Sequence, residues 1–161
     1  MTENMDEKEL LLKGKKRALR LLEKRDYSRK ELKDKLKKDG YSEELVLEII
    51  DYVDGYHYLD DERVAGSFIR GRKGCKSKRE LEYLLKQKGI GEEEIALAME
   101  ENYKNEDGVS QEEIVIQRQL EKYHVEEAEL ENMTYEEKQK IAAKLYRKGF
   151  EQENIRKLLR L

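Results

Sequence analysis

The sequence predicts an all-α fold, an elongated tandem array of three three-helix repeats. Leu, Ile, Val and Tyr recur at three- and four-residue spacing along most of the chain, which is the pattern of helices with a narrow buried stripe and a broad solvated face. No segment sustains period-two alternation, and no Asn-Gly or Asp-Gly turn joins two strand-like runs, so a sheet has no support. The chain also repeats itself, and a repeat determines architecture before any single motif does.

The repeat is written in helix signals. Ser28-Arg-Lys-Glu-Leu32 with Leu36, Gly40, Tyr41 and Val46 stands 49 residues ahead of Ser77-Lys-Arg-Glu-Leu81 with Leu85, Gly89, Ile90 and Ile95. A third copy follows the first by 109 residues, with Ile141, Leu145, Gly149, Phe150, Ile155 and Leu158 matching Leu32, Leu36, Gly40, Tyr41, Val46 and Ile49. Ser28, Ser77 and Thr134 can each cap a helix, with Glu31, Glu80 and Glu137 three residues on to complete a reciprocal box; Ser110 with Glu113 makes a fourth. Gly40, Gly89 and Gly149 follow Lys-rich last turns, where a helix ends in a left-handed residue.

These signals place helices at about 13 to 25, 28 to 39 and 42 to 55, then 60 to 73, 77 to 88 and 91 to 104, then 110 to 123, 134 to 148 and 151 to 160. The units are 1–56, 57–106 and 107–161, and residues 124–133 are an insertion in the third with room for an extra helical turn. Stacked repeats normally face a shared core, so Leu32, Leu36, Ile49, Leu81, Leu85, Ile95, Ile141 and Leu145 are expected inside.

Composition excludes several classes. Lone Cys75 has no disulfide partner, and no His/Cys cluster indicates a metal. The start, with its three-leucine run, reads as neither signal peptide nor membrane anchor, so cytoplasm is the expected location. His57 and His124 stand far apart without a catalytic partner and read as ordinary surface or interface residues. Asp60 and Asp61 precede a helix and read as caps. No phosphate-binding loop or dinucleotide fingerprint occurs, so neither an enzyme nor a cofactor is expected.

Charge is segregated. The net charge of -3 conceals blocks of +5 (1–40), -8 (41–62), +7 (63–90), -12 (91–136) and +5 (137–161). The densest basic cluster is Arg63, Arg70, Arg72, Lys73, Lys76, Lys78 and Arg79, interrupted by Gly71 and Gly74. A flexible glycine-containing turn would let these cations converge on phosphate or an acidic partner surface; the plainer reading is a solvated helix end. Lys13, Lys15, Lys16, Arg17 and Arg20 form a second group, which in sequence lacks an aromatic stacking platform. Tyr41, Tyr52 and Tyr83 read as packing residues by spacing, while Tyr56 and Tyr58 around His57 have no clear assignment.

At Tyr58-Leu-Asp-Asp-Glu-Arg-Val-Ala65, followed by Phe68-Ile-Arg70 and Arg72-Lys-Gly74, the chain resembles the signature stretch of the RecX family. Ala18, Leu22 and Arg25 ahead of Ser28, and Glu80-Leu81 leading to Lys88-Gly-Ile90, fit the same arrangement, so the resemblance covers roughly residues 15 to 161. It implies a non-enzymatic modulator lying in the groove of a RecA filament on single- or double-stranded DNA and suppressing strand exchange, ATP hydrolysis and coprotease activity. A monomer is expected. The competing class is a stand-alone helical nucleic-acid-binding protein, favoured by the basic blocks and disfavoured by the acidic ones and a pI near 5.7.

Overall fold

The computed structural model describes residues 6–104 and 109–161, and its regular elements are all helices. The first unit holds α1 (Glu7–Lys24), α2 (Arg29–Lys38) and α3 (Glu43–Gly55). The second holds α4 (Asp61–Arg72), α5 (Lys78–Gln87) and α6 (Glu92–Asn102). The third holds α7 (Gln111–Lys122), α8 (Glu127–Asn132), α9 (Tyr135–Arg147) and α10 (Gln152–Leu159). The insertion at 124–133 does carry an extra helix, α8. The first helix starts at residue 7 rather than 13, because Asp6 accepts the Glu9 backbone N–H at 2.8 Å and so supplies a cap one and a half turns earlier.

Ser28, Ser77, Ser110 and Thr134 all cap as the sequence predicts, each side-chain oxygen accepting a backbone N–H three residues on at 3.1 Å. The reciprocal arm forms at Ser28, whose N–H donates to Glu31. At Ser77 and Ser110 the glutamate is drawn away instead, Glu80 to Lys76 at 3.2 Å and Glu113 to Lys157 at 2.9 Å.

Helix ends follow one pattern. At Gly40, Gly89 and Gly149 the glycine N–H and the next residue's N–H return to carbonyls of the last turn, a left-handed cap with φ of 101°, 80° and 94°. His57, His124 and Arg160 adopt the same left-handed conformation, at φ 58°, 59° and 57°, and close the same bonds after α3, α7 and α10. The two histidines thus end helices, a role invisible in a search for glycine.

The cores are separate. Ala18, Leu32, Leu36, Val46, Ile49 and Val53 centre the first, which Leu59 closes; Ala65, Ile69, Leu81, Leu85 and Ile95 centre the second; and Val115, Ile116, Leu145, Ile155 and Leu159 centre the third. The expectation of one shared core is therefore corrected. Ile141 is a second correction, being half-buried where its counterparts Leu32 and Leu81 are fully buried. The N-termini of α2 and α5 are joined to the following unit through Ser28 and Ser77, whereas the first turns of α9 are mostly exposed.

Polar seams join the units. The Ser28 hydroxyl, which caps α2, donates to the Lys88 carbonyl at the end of α5 at 2.5 Å, and the Ser77 hydroxyl, which caps α5, donates to the Lys148 carbonyl at the end of α9 at 2.8 Å. Both serines are fully buried. The three middle helices therefore run head to tail, each positive N-terminus against the negative C-terminus of the next unit's helix. A Cβ at Gly89 would strike the Lys30 side chain, and one at Gly149 would lie 2.8 Å from Ser77 Oγ, whereas Gly40 has nothing within 4 Å. Around the first seam the Arg29 backbone N–H donates to Asp61 at 2.9 Å, the Arg29 guanidinium to Asp54 at 3.0 Å, and the Lys88 ammonium to Glu31 at 3.1 Å.

Two outcomes follow for stability. Alanine at Gly40 meets only the left-handed backbone and costs about 1 to 2 kcal/mol, while alanine at Gly89 or Gly149 must also push back the neighbouring unit; urea unfolding will show both seam variants less stable than G40A. Burial alone would raise the Glu31 carboxyl, but the Ser28 N–H and the Lys88 ammonium outweigh it and hold it below its usual 4.5. A lowered carboxyl contributes stability that is full above its unfolded value and is lost as pH falls through the folded one. Acid titration from about pH 4.5 downward will therefore weaken wild type more steeply than E31Q.

Candidate partner-binding surface

The basic residues of 63–90 are carried by the two ends of α4, the turn after it and the first turn of α5. Most are already engaged. Arg63 pairs with Asp26 at 3.5 Å, Arg70 donates to the Asn102 side-chain Oδ1 at 2.8 Å, and Lys76 pairs with Glu80. Arg72 lies flat over the Phe68 ring, its guanidinium carbon 3.8 Å from the centroid. Lys73, Lys78 and Arg79 remain, with no ion pair among the described residues; Lys78 and Arg79 are exposed and Lys73 half-exposed. Of the seven, Arg63 and Lys76 are in ion pairs, Arg70 and Arg72 have neutral partners, and Lys73, Lys78 and Arg79 have none among the described residues.

The expected flexible turn is also corrected. Gly71 lies inside α4. The segment after it is clamped from the third unit and from α6: Gln111 donates to the Lys73 carbonyl at 2.7 Å, Arg118 to the Gly74 carbonyl at 3.0 Å, and the Tyr103 hydroxyl to the Lys76 carbonyl at 3.1 Å. Burial pushes the Tyr103 phenol well above its usual value, which keeps it a neutral donor. Gln111 was not legible as functional; only the fold brings its side chain to a carbonyl 38 residues away.

The second basic group divides around α1. Arg17 pairs with Asp39 at 3.0 Å, on the side facing α2. Lys15 lies on the other side, its ammonium 4.5 Å from the centroid of the Tyr52 ring, and Lys16 is exposed. Tyr52 meets Tyr56 edge to face at 5.2 Å, and Tyr56 stacks on Tyr58 at 5.9 Å with 21° between planes. The group that lacks an aromatic platform in sequence therefore has one in space, because α1 packs on α3. Tyr41 and Tyr52 pack against the first core as expected. Tyr83 does not: it is 59% exposed, and its hydroxyl accepts a hydrogen bond from Gln87.

Asp60 caps α4, accepting the Arg63 N–H at 3.1 Å, while Asp61 serves α2 instead. Cys75 is exposed with a free thiol. Among the described residues, no group of three or more His, Cys, Asp or Glu is placed to hold a metal, and no helix is long and apolar enough to cross a membrane.

Three tandem family domains match this architecture unit by unit: the first three-helix domain of RecX at residues 15–52, the second at 60–99 and the third at 112–159. The chain belongs to the RecX family. Regulatory protein RecX of Caldanaerobacter subterraneus subsp. tengcongensis is 34% identical over 149 residues, covering 92% of this chain and 70% of that one. Regulatory protein RecX of Clostridium botulinum strain Alaska E43 is 32% identical over 101 residues, 60% of this chain and 48% of the relative, so the match spans only about half of that protein. The crystal structure of RecX from Lactobacillus salivarius superposes with a TM-score of 0.74 at 22% identity, covering 93% of this chain and 94% of that one. A second RecX crystal structure gives 0.72 at 22% identity over 98% and 80% of the respective chains. Both structures share the tandem helical repeat fold, and the family is a regulatory one, linked to RecA, recombination and DNA repair.

Proposed function

We propose that this RecX family member acts, as a cytoplasmic monomer without catalytic activity of its own, by lying in the helical groove of a RecA filament on DNA. There it bridges neighbouring protomers and suppresses strand exchange, ATP hydrolysis and coprotease activity. The observation that supports this reading is the tandem joint: three units, bounded at 1–56, 57–106 and 107–161, are linked through buried seryl hydroxyls, so successive surfaces are presented at a set spacing to a partner that itself repeats. The contact surface assigned to it is Arg63, Arg70, Arg72, Lys73, Lys76, Lys78 and Arg79 with Lys15, Lys16 and Arg17. Within it Lys73, Lys78, Arg79 and Lys16 carry the intermolecular charge, since the other arginines already have partners within the chain.

Two measurements test the proposal. Added to preassembled RecA on single-stranded DNA, the protein slows ATP hydrolysis while hydrolysing none itself; intrinsic turnover, or an unchanged RecA rate at saturation, refutes it. Replacing Lys73, Lys78 and Arg79 together by glutamate weakens filament binding and flattens its salt dependence with helicity unchanged, whereas lysine at Glu92, Glu93 and Glu94 leaves binding intact or stronger. Equal effects from the two triple variants would remove the contact from the α4–α5 corner.

A further inference from the structure

Tyr56 and Tyr58 are 60% and 47% exposed, yet they are not splayed into solvent. They stack nearly parallel, and Tyr56 is braced edge-on by Tyr52. The turn that brings them together runs through His57 in the left-handed region at φ 58°, a conformation that a non-glycine residue adopts at a cost. The Tyr58 N–H returns to the Val53 carbonyl at 3.0 Å and Leu59 is anchored in the first core, so the rings are mounted on fixed backbone. The outer face of Tyr58 is thus held ready, with no aromatic or cationic partner besides Tyr56 among the described residues.

Cations border the platform on one side. Lys15 lies over Tyr52. Helical spacing puts exposed Lys8, two turns before Lys15, on the same stripe of α1, away from the Arg17 side that is neutralised by Asp39. On α3 the stripe holding Tyr52 begins with exposed Glu48, so a phosphate path runs over α1 rather than along α3. Flat faces for bases beside a row of lysines for phosphates are the chemistry of a single strand, whose unpaired bases stack without regard to sequence. A duplex hides those faces within its own stack, and an acidic peptide offers no planar groups in series.

We propose that Tyr56 and Tyr58, with Lys8 and Lys15 beside them, form a stacking site for single-stranded nucleic acid, distinct from the α4–α5 cations. The test needs no filament, so it stands or falls separately from the groove reading. Fluorescence anisotropy of a labelled oligothymidylate is followed with wild type, Y56A/Y58A and Y56F/Y58F, with circular dichroism as a control for folding. The alanine pair weakens strand binding by about tenfold or more, the loss typical of a removed stacking partner. The phenylalanine pair keeps it, because stacking uses the ring and not the hydroxyl. The reversal K8E/K15E also weakens it and reduces the salt dependence. Strand binding unchanged in the alanine pair, or a duplex of equal length bound as tightly as the strand, overturns the proposal. Loss of RecA-filament binding in the alanine pair with strand binding intact would assign the rings to a protein surface, which overturns it equally.

Discussion

The architecture depends on one joint, used twice: a serine that caps a helix also donates its hydroxyl to the last carbonyl of the corresponding helix in the next unit. The same oxygen accepts the backbone N–H three residues on, so donor and acceptor capacity are both used, with no water available to either fully buried serine. Close approach at this point requires a glycine on the receiving side, and the left-handed helix end requires one independently. Two physical demands thus converge on Gly89 and Gly149, while Gly40, with nothing within 4 Å of its Cβ position, answers only the second.

A seam built from hydrogen bonds behaves differently from one built from leucine. Each neutral bond contributes only about 1 kcal/mol net, but leaving a buried partner unsatisfied costs about 1 to 3 kcal/mol, so such a joint enforces geometry more than it adds stability. With each unit closing its own core, the interfaces specify register and direction. That is a suitable division for a regulator whose units present successive surfaces to a partner, since the spacing between units is set by directional bonds at a few points.

Part of the segregated charge is neutralised between neighbours within the chain. The first block pairs with each of the next two at or beside the first seam, as Arg29 with Asp54 and Glu31 with Lys88. Hydrogen bonding to Arg29 lowers the Asp54 carboxyl, and a bond from Asp54 raises the Arg29 guanidinium, so both remain charged at neutral pH. Surface cations count toward a partner only after such pairs are subtracted. At the α4–α5 corner the cations with no partner among the described residues are Lys73, Lys78 and Arg79.

Local signals in the sequence determined the all-helical class, the threefold repeat, the serine and threonine caps and the glycine helix ends, because each arises from contacts within a few residues. Burial of Leu32, Leu36, Leu81, Leu85 and Leu145 was equally legible from their spacing, since a 3.6-residue period assigns one face inward. Tertiary structure alone decided what lies across the seams, where Ser28 finds a carbonyl 60 residues away and Ser77 one 71 residues away. It also decided the fate of the cations, because Arg70 could not be known to face Asn102, nor Lys15 to cover Tyr52, before α4 packed on α6 and α1 on α3. Ile141 and the histidine-ended helices show the same limit. Whether a face is covered depends on a following unit, and whether a non-glycine residue accepts a left-handed turn depends on the packing that holds it there.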